Sequence, residues 1–166
     1  MLQAKSKVER KHLFIESTLP KFLTAVKQKT LQNEIVFKGI GLHTGNKVSM
    51  KMFPASENTG IVFRRMIGNK TILIKADYKN VKSTNLCTLL SDRNGNSIST
   101  VEHILSAIYA FEIDNVIIEL TSNEIPVYDG SAQEFVKKIK EVGFEEQESF
   151  KKFIKIKKSV EVKSGN

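Results

Sequence analysis

Residues 99–120 read STVEHILSAIYAFEIDNVIIEL, and the change of rhythm inside them decides the fold class. Val101, Ile104, Leu105, Ile108 and Phe111 recur at helical spacing behind Ser99 and Thr100, so the stretch begins with a helix of about three turns. Asn115 to Leu120 then reads as a strand. Upstream of the helix, period two prevails. Val48, Met50 and Met52 alternate with Ser49, Lys51 and Phe53, and Ile35 to Phe37 precede a glycine-rich turn, which makes strand, turn, strand. Ile61 to Phe63 follow the turn Asn58-Thr59-Gly60 as another strand, Ile72 to Ile74 form a short one, and Leu86 to Leu90 form one more before the turn Asp92 to Asn96. Downstream, Pro126 and Asp129-Gly130 mark a turn. Ser131 opens a second helix, with apolar Phe135, Val136 and Ile139, that stops at Gly143. Ser99 with Glu102, and Ser131 with Glu134, have capping-box spacing. Phe153, Ile154, Ile156, Val160 and Val162 alternate imperfectly with lysines, as in a strand with one wet face. The switch between the two periods predicts an α+β fold, a two-layer sandwich in which a mixed β-sheet carries helices packed on one face.

Composition bounds the rest. The 166 residues are 40% hydrophobic and 27% charged, which suits one domain with a single core, or a domain plus a tail, and excludes a disordered polyelectrolyte. No apolar run approaches the roughly 18 residues of a membrane span, so a soluble chain with no membrane span is expected. The single cysteine, Cys87, makes no internal disulfide and no cysteine-based zinc cluster, and points to a reducing, cytoplasmic compartment. The net charge of +8 is uneven: residues 1–30 hold seven Lys or Arg against two Glu, the remainder nineteen against sixteen. A nucleic-acid module carries its basic face on the folded domain, with aromatics for stacking. No such interleaving is visible, so no nucleic-acid partner is expected. Residues 1–30 read as a basic extension with one short helix around Phe22 to Lys27. The alternative is a targeting segment and an organellar location, against which stand its single Arg and its Glu9 and Glu16.

Several clusters invite a chemical reading. Gly39-Ile40-Gly41-Leu42-His43-Thr44-Gly45 follows a strand as a phosphate-binding loop does, but strand alternation rather than a helix comes after it. A hairpin-like turn needing positive φ at several positions is the plainer reading. Ser99-Thr100-Val101-Glu102-His103 sets a carboxylate beside an imidazole in the first turn of a helix, the pairing of proton acceptor and ligand that a zinc hydrolase uses. A cap with a surface histidine fits the same residues. The chain has only His12, His43 and His103, too few for a complete histidine-based zinc site. Cys87, in an apolar stretch, reads as an inert thiol, and Asp129-Gly130-Ser131 as a turn and helix cap.

Gly41-Leu42-His43-Thr44-Gly45, Leu86-Cys87-Thr88, Ser99-Thr100-Val101-Glu102-His103, Ile113-Asp114-Asn115, Glu124-Ile125-Pro126 and Asp129-Gly130-Ser131, in that order, resemble the N-terminal half of the UDP-3-O-acyl-N-acetylglucosamine deacetylases, the zinc amidases of bacterial lipid A biosynthesis. The resemblance runs from about Leu31 to Val162. It implies that His103 matches the family's first zinc ligand and that Glu102 matches its general base, which takes a proton from the attacking water. Leu86, Cys87 and Thr88 match a strand bordering the substrate site. It also implies one half of a duplicated two-domain enzyme, with a Zn2+ site completed by a His and an Asp of a second domain. The expected organisation is an extension at 1–30, a deacetylase N-terminal domain at 31–150, and the start of the missing second domain at 151–166. The implied partners are an acylated UDP-N-acetylglucosamine substrate and a C-terminal half or a second copy, and the chain alone is expected to bind zinc poorly and to be inactive. Two readings stand beside it: a non-catalytic binding or regulatory protein derived from such a domain, and a basic RNA-binding module, which the balanced middle of the chain disfavours.

Overall fold

A computed structural model describes residues 26–154 and 156–162. Along the chain run β1 (Lys27–Leu31), β2 (Ile35–Ile40), β3 (Lys47–Pro54), β4 (Ile61–Ile67), β5 (Lys70–Lys75), a 3-10 turn at Tyr78–Asn80, β6 (Val81–Ser83), β7 (Leu89–Ser91), β8 (Ser97–Ile98), α1 (Glu102–Ala110), β9 (Val116–Leu120), α2 (Gln133–Val142) and β10 (Phe144–Phe150).

The alternation of β3 places Val48, Met50 and Met52 on one face, and its neighbours complete the row. Five strands lie in the order β2-β3-β9-β4-β5. β9 runs parallel to β4 and antiparallel to β3, so the sheet is mixed as expected. Across it, Ile35 faces Met52, Met52 faces Ile118, Ile118 faces Phe63 and Phe63 faces Ile74, and all five are buried. The helices cover this face. α1 contributes Ile104, Ala107 and Ile108 and α2 contributes Phe135 and Ile139. Phe135 packs on Phe37 of β2, ring centroids 5.3 Å apart, and meets Tyr128 edge-on at 5.5 Å. Burying such a set is the main stabilising term, roughly 1.5–3 kcal/mol for each large apolar side chain. The opposite face of the sheet stays partly wet, with the Arg64–Glu119 ion pair at 2.9 Å.

Two smaller sheets differ from the sequence reading. β1 and β10 form an antiparallel ribbon. Residues 27–30, read as the end of the extension, therefore belong to a strand that runs to Leu31; of the expected helix Phe22 to Lys27, residues 22–25 lie outside the described residues, and Val26 and Lys27 are not helical. Leu31 of β1 joins the core and Phe144 of β10 packs on Phe111, and polar contacts fasten the rest of the ribbon. Asn115 donates to Gln28 at 2.8 Å and to Gln147 at 2.7 Å while its Oδ1 accepts from the Gly60 N–H at 2.8 Å. The Thr30 hydroxyl donates to the Asn115 carbonyl at 2.7 Å. The stretch Phe153 to Val162 holds no strand among the described residues, and Ile154, Ile156, Val160 and Val162 are exposed. Its alternation finds no neighbouring strand to pair with.

The third sheet, β6-β7-β8, brings the chain to the start of α1. Here Leu86, Cys87 and Thr88 precede β7 rather than lying in it. Leu86 has φ +63°, in the left-handed region that strands exclude, so the segment bends. Neither predicted capping box forms: the residues preceding α1 and α2 are Val101 and Ala132, and neither makes a side-chain cap bond. The Ser131 hydroxyl does accept from the Gln133 N–H, at 3.1 Å, but Glu134 does not return the bond. Gly143 ends α2 at φ +81°, as expected. In the glycine turn only Gly45 has positive φ. Gly39 and Gly41 are there for space, because a Cβ on Gly39 would lie 2.7 Å from Pro126 Cβ.

Candidate active site at the start of α1

Glu102 is the first residue of α1, where the helix dipole favours a carboxylate. Its Oε2 accepts the Thr88 backbone N–H at 3.0 Å, and the Val101 N–H donates back to the Thr88 carbonyl at 3.4 Å. This exchange explains why Thr88 is not a strand residue: its N–H is engaged by a side chain. His103 follows, with its Nε2 4.0 Å from Glu102 Oε1. Both side chains are about one-third exposed, 30% for His103 and 38% for Glu102, so solvent and a ligand reach them. Cys87 is a free, half-buried thiol, and Leu86 is 84% exposed beside it in sequence. The structure thus joins Thr88 to Glu102 by a hydrogen bond and sets His103 4.0 Å from the same carboxylate. It puts Leu86 at the surface of the bend that leads into the pair.

A buried carboxylate lies behind this site. Glu124 has no exposed surface. Its Oε1 accepts the His43 N–H at 2.9 Å and the Thr100 hydroxyl at 2.9 Å, and its Oε2 accepts the Thr44 N–H at 2.9 Å and the Thr44 hydroxyl at 2.7 Å. Burial pushes its pKa up, and the four donors outweigh burial and hold it below the ordinary 4.5. Thr100 is itself buried at φ +60°, a costly conformation for a β-branched residue. Ser99 and Ile125 complete the junction, the Ile125 N–H donating to the Ser99 carbonyl at 3.2 Å. The sequence reading passed over Glu124 as a donor-gathering group. Its one local signal is an acid immediately before the buried Ile125 in a turn segment.

As a metal site the residues are incomplete. Zinc sites take three or four side chains. Among the described residues no group of three or more His, Cys, Asp or Glu side chains could hold a metal ion. His103 stands beside a single carboxylate, and no complete zinc centre fits the described residues alone.

The LpxC family model, UDP-3-O-acyl N-acetylglycosamine deacetylase, matches residues 28–166. The chain belongs to this deacetylase family. A UDP-3-O-acyl-N-acetylglucosamine deacetylase of Actinobacillus succinogenes is 47% identical over 141 residues, covering 85% of this chain and 46% of the relative. Relatives of the same name from Pseudoalteromonas atlantica, at 47%, and Haemophilus influenzae, at 45%, match over the same shares of each chain. The chain therefore spans about half the length of the curated relatives it matches. No helix among its described residues is long and apolar enough to cross a membrane.

Proposed function

We propose that this chain carries part of the active site of a cytoplasmic, zinc-dependent deacetylase that hydrolyses the acetamide of a UDP-3-O-acyl-N-acetylglucosamine. Water adds to the amide carbonyl, the C–N bond breaks, and acetate and the free glucosamine amine leave. The observation that carries the reading is the Glu102 carboxylate, fixed by the Thr88 N–H at a helix start next to His103, in a chain of this family. Glu102 is the base: one oxygen is held by Thr88, and the other is free to take a proton from water at the scissile carbon. Fixing one oxygen removes rotational freedom from the free one, so the acceptor needs little reorganisation. His103 would be one ligand of the zinc ion, the others coming from a second domain. When bound, zinc supplies a Lewis acid for the carbonyl.

Leu86, Cys87 and Thr88 line the substrate side. Leu86 offers exposed apolar surface to the acylated sugar, and the half-buried Cys87 shapes the wall behind it. The organisation that goes with this reading is a basic extension at the N-terminus, a domain through residue 150, and 151–166 leading into a second domain or a partner polypeptide.

The test assembles this chain with the portion of the Actinobacillus relative that it does not cover, adds zinc, and measures acetate release. Glu102→Gln should lower kcat by about 10²–10⁴-fold, the usual worth of a positioned base, with KM little changed. Activity that survives Glu102→Gln removes Glu102 from this role.

A further inference from the structure

The carboxylate of Glu124 joins two parts of the molecule that are far apart in sequence, the turn Gly41–Gly45 and the residues that lead into α1. Its Oε1 accepts from His43 N–H and from the Thr100 hydroxyl at once, so these two donors stand two hydrogen bonds apart. Two residues after Thr100 comes Glu102, whose side chain closes the chain of bonds on Thr88 N–H. Each carboxylate oxygen takes one backbone N–H and one hydroxyl. The N–H groups cannot turn away. An uncharged carboxamide would therefore set its NH2 against one of them, and a donor facing a donor is left unpaired in a buried place. The surroundings are built to this group. A Cβ on Gly41 would lie 2.9 Å from Glu124 Cδ and 2.6 Å from Thr44 Oγ1, so glycine is required there for the carboxylate to enter. Thr100 is held at φ +60° with its hydroxyl on Glu124, which is where the cost of that backbone is met.

We propose that Glu124 is a positioning residue of the active site: its buried carboxylate sets the His43 turn and the Glu102–His103 helix start at a fixed spacing. This rests on the deacetylase reading of Glu102 and His103 above, and it adds a residue that touches neither water nor substrate. It also gives the turn a purpose. The backbone N–H groups of His43 and Thr44 are spent on Glu124 and are not offered to a phosphate, while the exposed His43 side chain and Leu42 are presented at a set distance from α1.

Amide exchange and amide resonances of the chain itself test the link without turnover. In Glu124→Gln, exchange at His43 and Thr44 should rise at least about tenfold, and the Thr88 amide resonance should move toward its position in Glu102→Gln, while Ile108 and Ile118 keep their rates. A uniform rise at every amide would overturn the proposal, because it would make Glu124 a stability residue only. So would an unmoved Thr88 resonance, which would confine Glu124 to holding the turn. Should Glu124→Gln fail to fold, Thr100→Val removes one hydroxyl and must move Thr88 alone; no movement overturns the proposal. In the assembled enzyme, Glu124→Gln should lower kcat at least about tenfold with KM within about twofold, and an unchanged kcat counts against it. Glu102→Gln in the same assay separates the two claims. If it stays active, the deacetylase roles fail, while the Thr88 shift still reports on Glu124.

Discussion

Glycine 41 and glycine 45 sit four residues apart in one turn and are needed for opposite reasons, which makes them a clean pair. Gly45 has φ +65° with open space around it, so Ala there meets only backbone strain, about 1–2 kcal/mol. Gly41→Ala drives a methyl into the Glu124 carboxylate and should cost more, about 3 kcal/mol, since it overpacks and displaces buried hydrogen bonds. Urea unfolding of both variants checks the order. Glu124 also gives stability a pH dependence. Its pKa is lowered in the folded state, so its contribution is complete above the unfolded value of 4.5 and is lost as pH falls through the lower folded value. Thermal melts below pH 4.5 should therefore fall more steeply for the wild type than for Glu124→Gln, and equal slopes would contradict the charge assignment. At this scale Glu102 and His103 stand out as an acid beside an imidazole at a helix start, where a cap with a surface histidine fits the same letters, so their expected roles come from the family resemblance. Glu124 does not stand out: a buried carboxylate and a surface one are the same letter, and its four donors come from two segments distant in sequence, residues 43–44 and Thr100.

Elements with apolar periodicity were read well, and those held by polar contacts were not. β3, β9, α1 and α2 each bury a periodic apolar face, and each stands where the rhythm put it. β1 and β10 read KQKTL and FEEQESF, and their inward positions include Gln28, Thr30 and Gln147, which the Asn115 side chain and the backbone carbonyls of Asn115 and Ala55 satisfy. Local sequence cannot show a partner more than eighty residues away. The bend at Leu86 escaped for a similar reason, since the group that captures the Thr88 N–H is on the next helix. If the polar junction holds the ribbon, Asn115→Leu should cost about 2 kcal/mol by taking the acceptor from the Gly60 N–H and one hydrogen bond each from Gln28 and Gln147, with exchange rising first in β1 and β10. Leu86→Ala is the contrast. An 84% exposed side chain contributes little to stability, so unfolding should change by less than about 0.5 kcal/mol, while KM for the acylated sugar in the assembled enzyme should rise.

Across the whole molecule, one sheet face is sealed by α1 and α2, and the start of α1 brings Glu102 and His103 to the surface. The chain spans about half the length of the curated relatives it matches, and its described residues set His103 beside Glu102 but hold no group of three or more candidate metal ligands. The central claim is that this half-site becomes a working deacetylase only with groups from outside the chain. Zinc retention and acetate release, measured together on the chain alone and on the chain mixed with the uncovered portion of the Actinobacillus relative, address it most directly. The account predicts less than one equivalent of zinc after dialysis and negligible acetate for the chain alone, with both rising on mixing and both lost in His103→Ala. Stoichiometric zinc on the chain alone that persists in His103→Ala, or acetate release that ignores His103→Ala in the mixture, would contradict it.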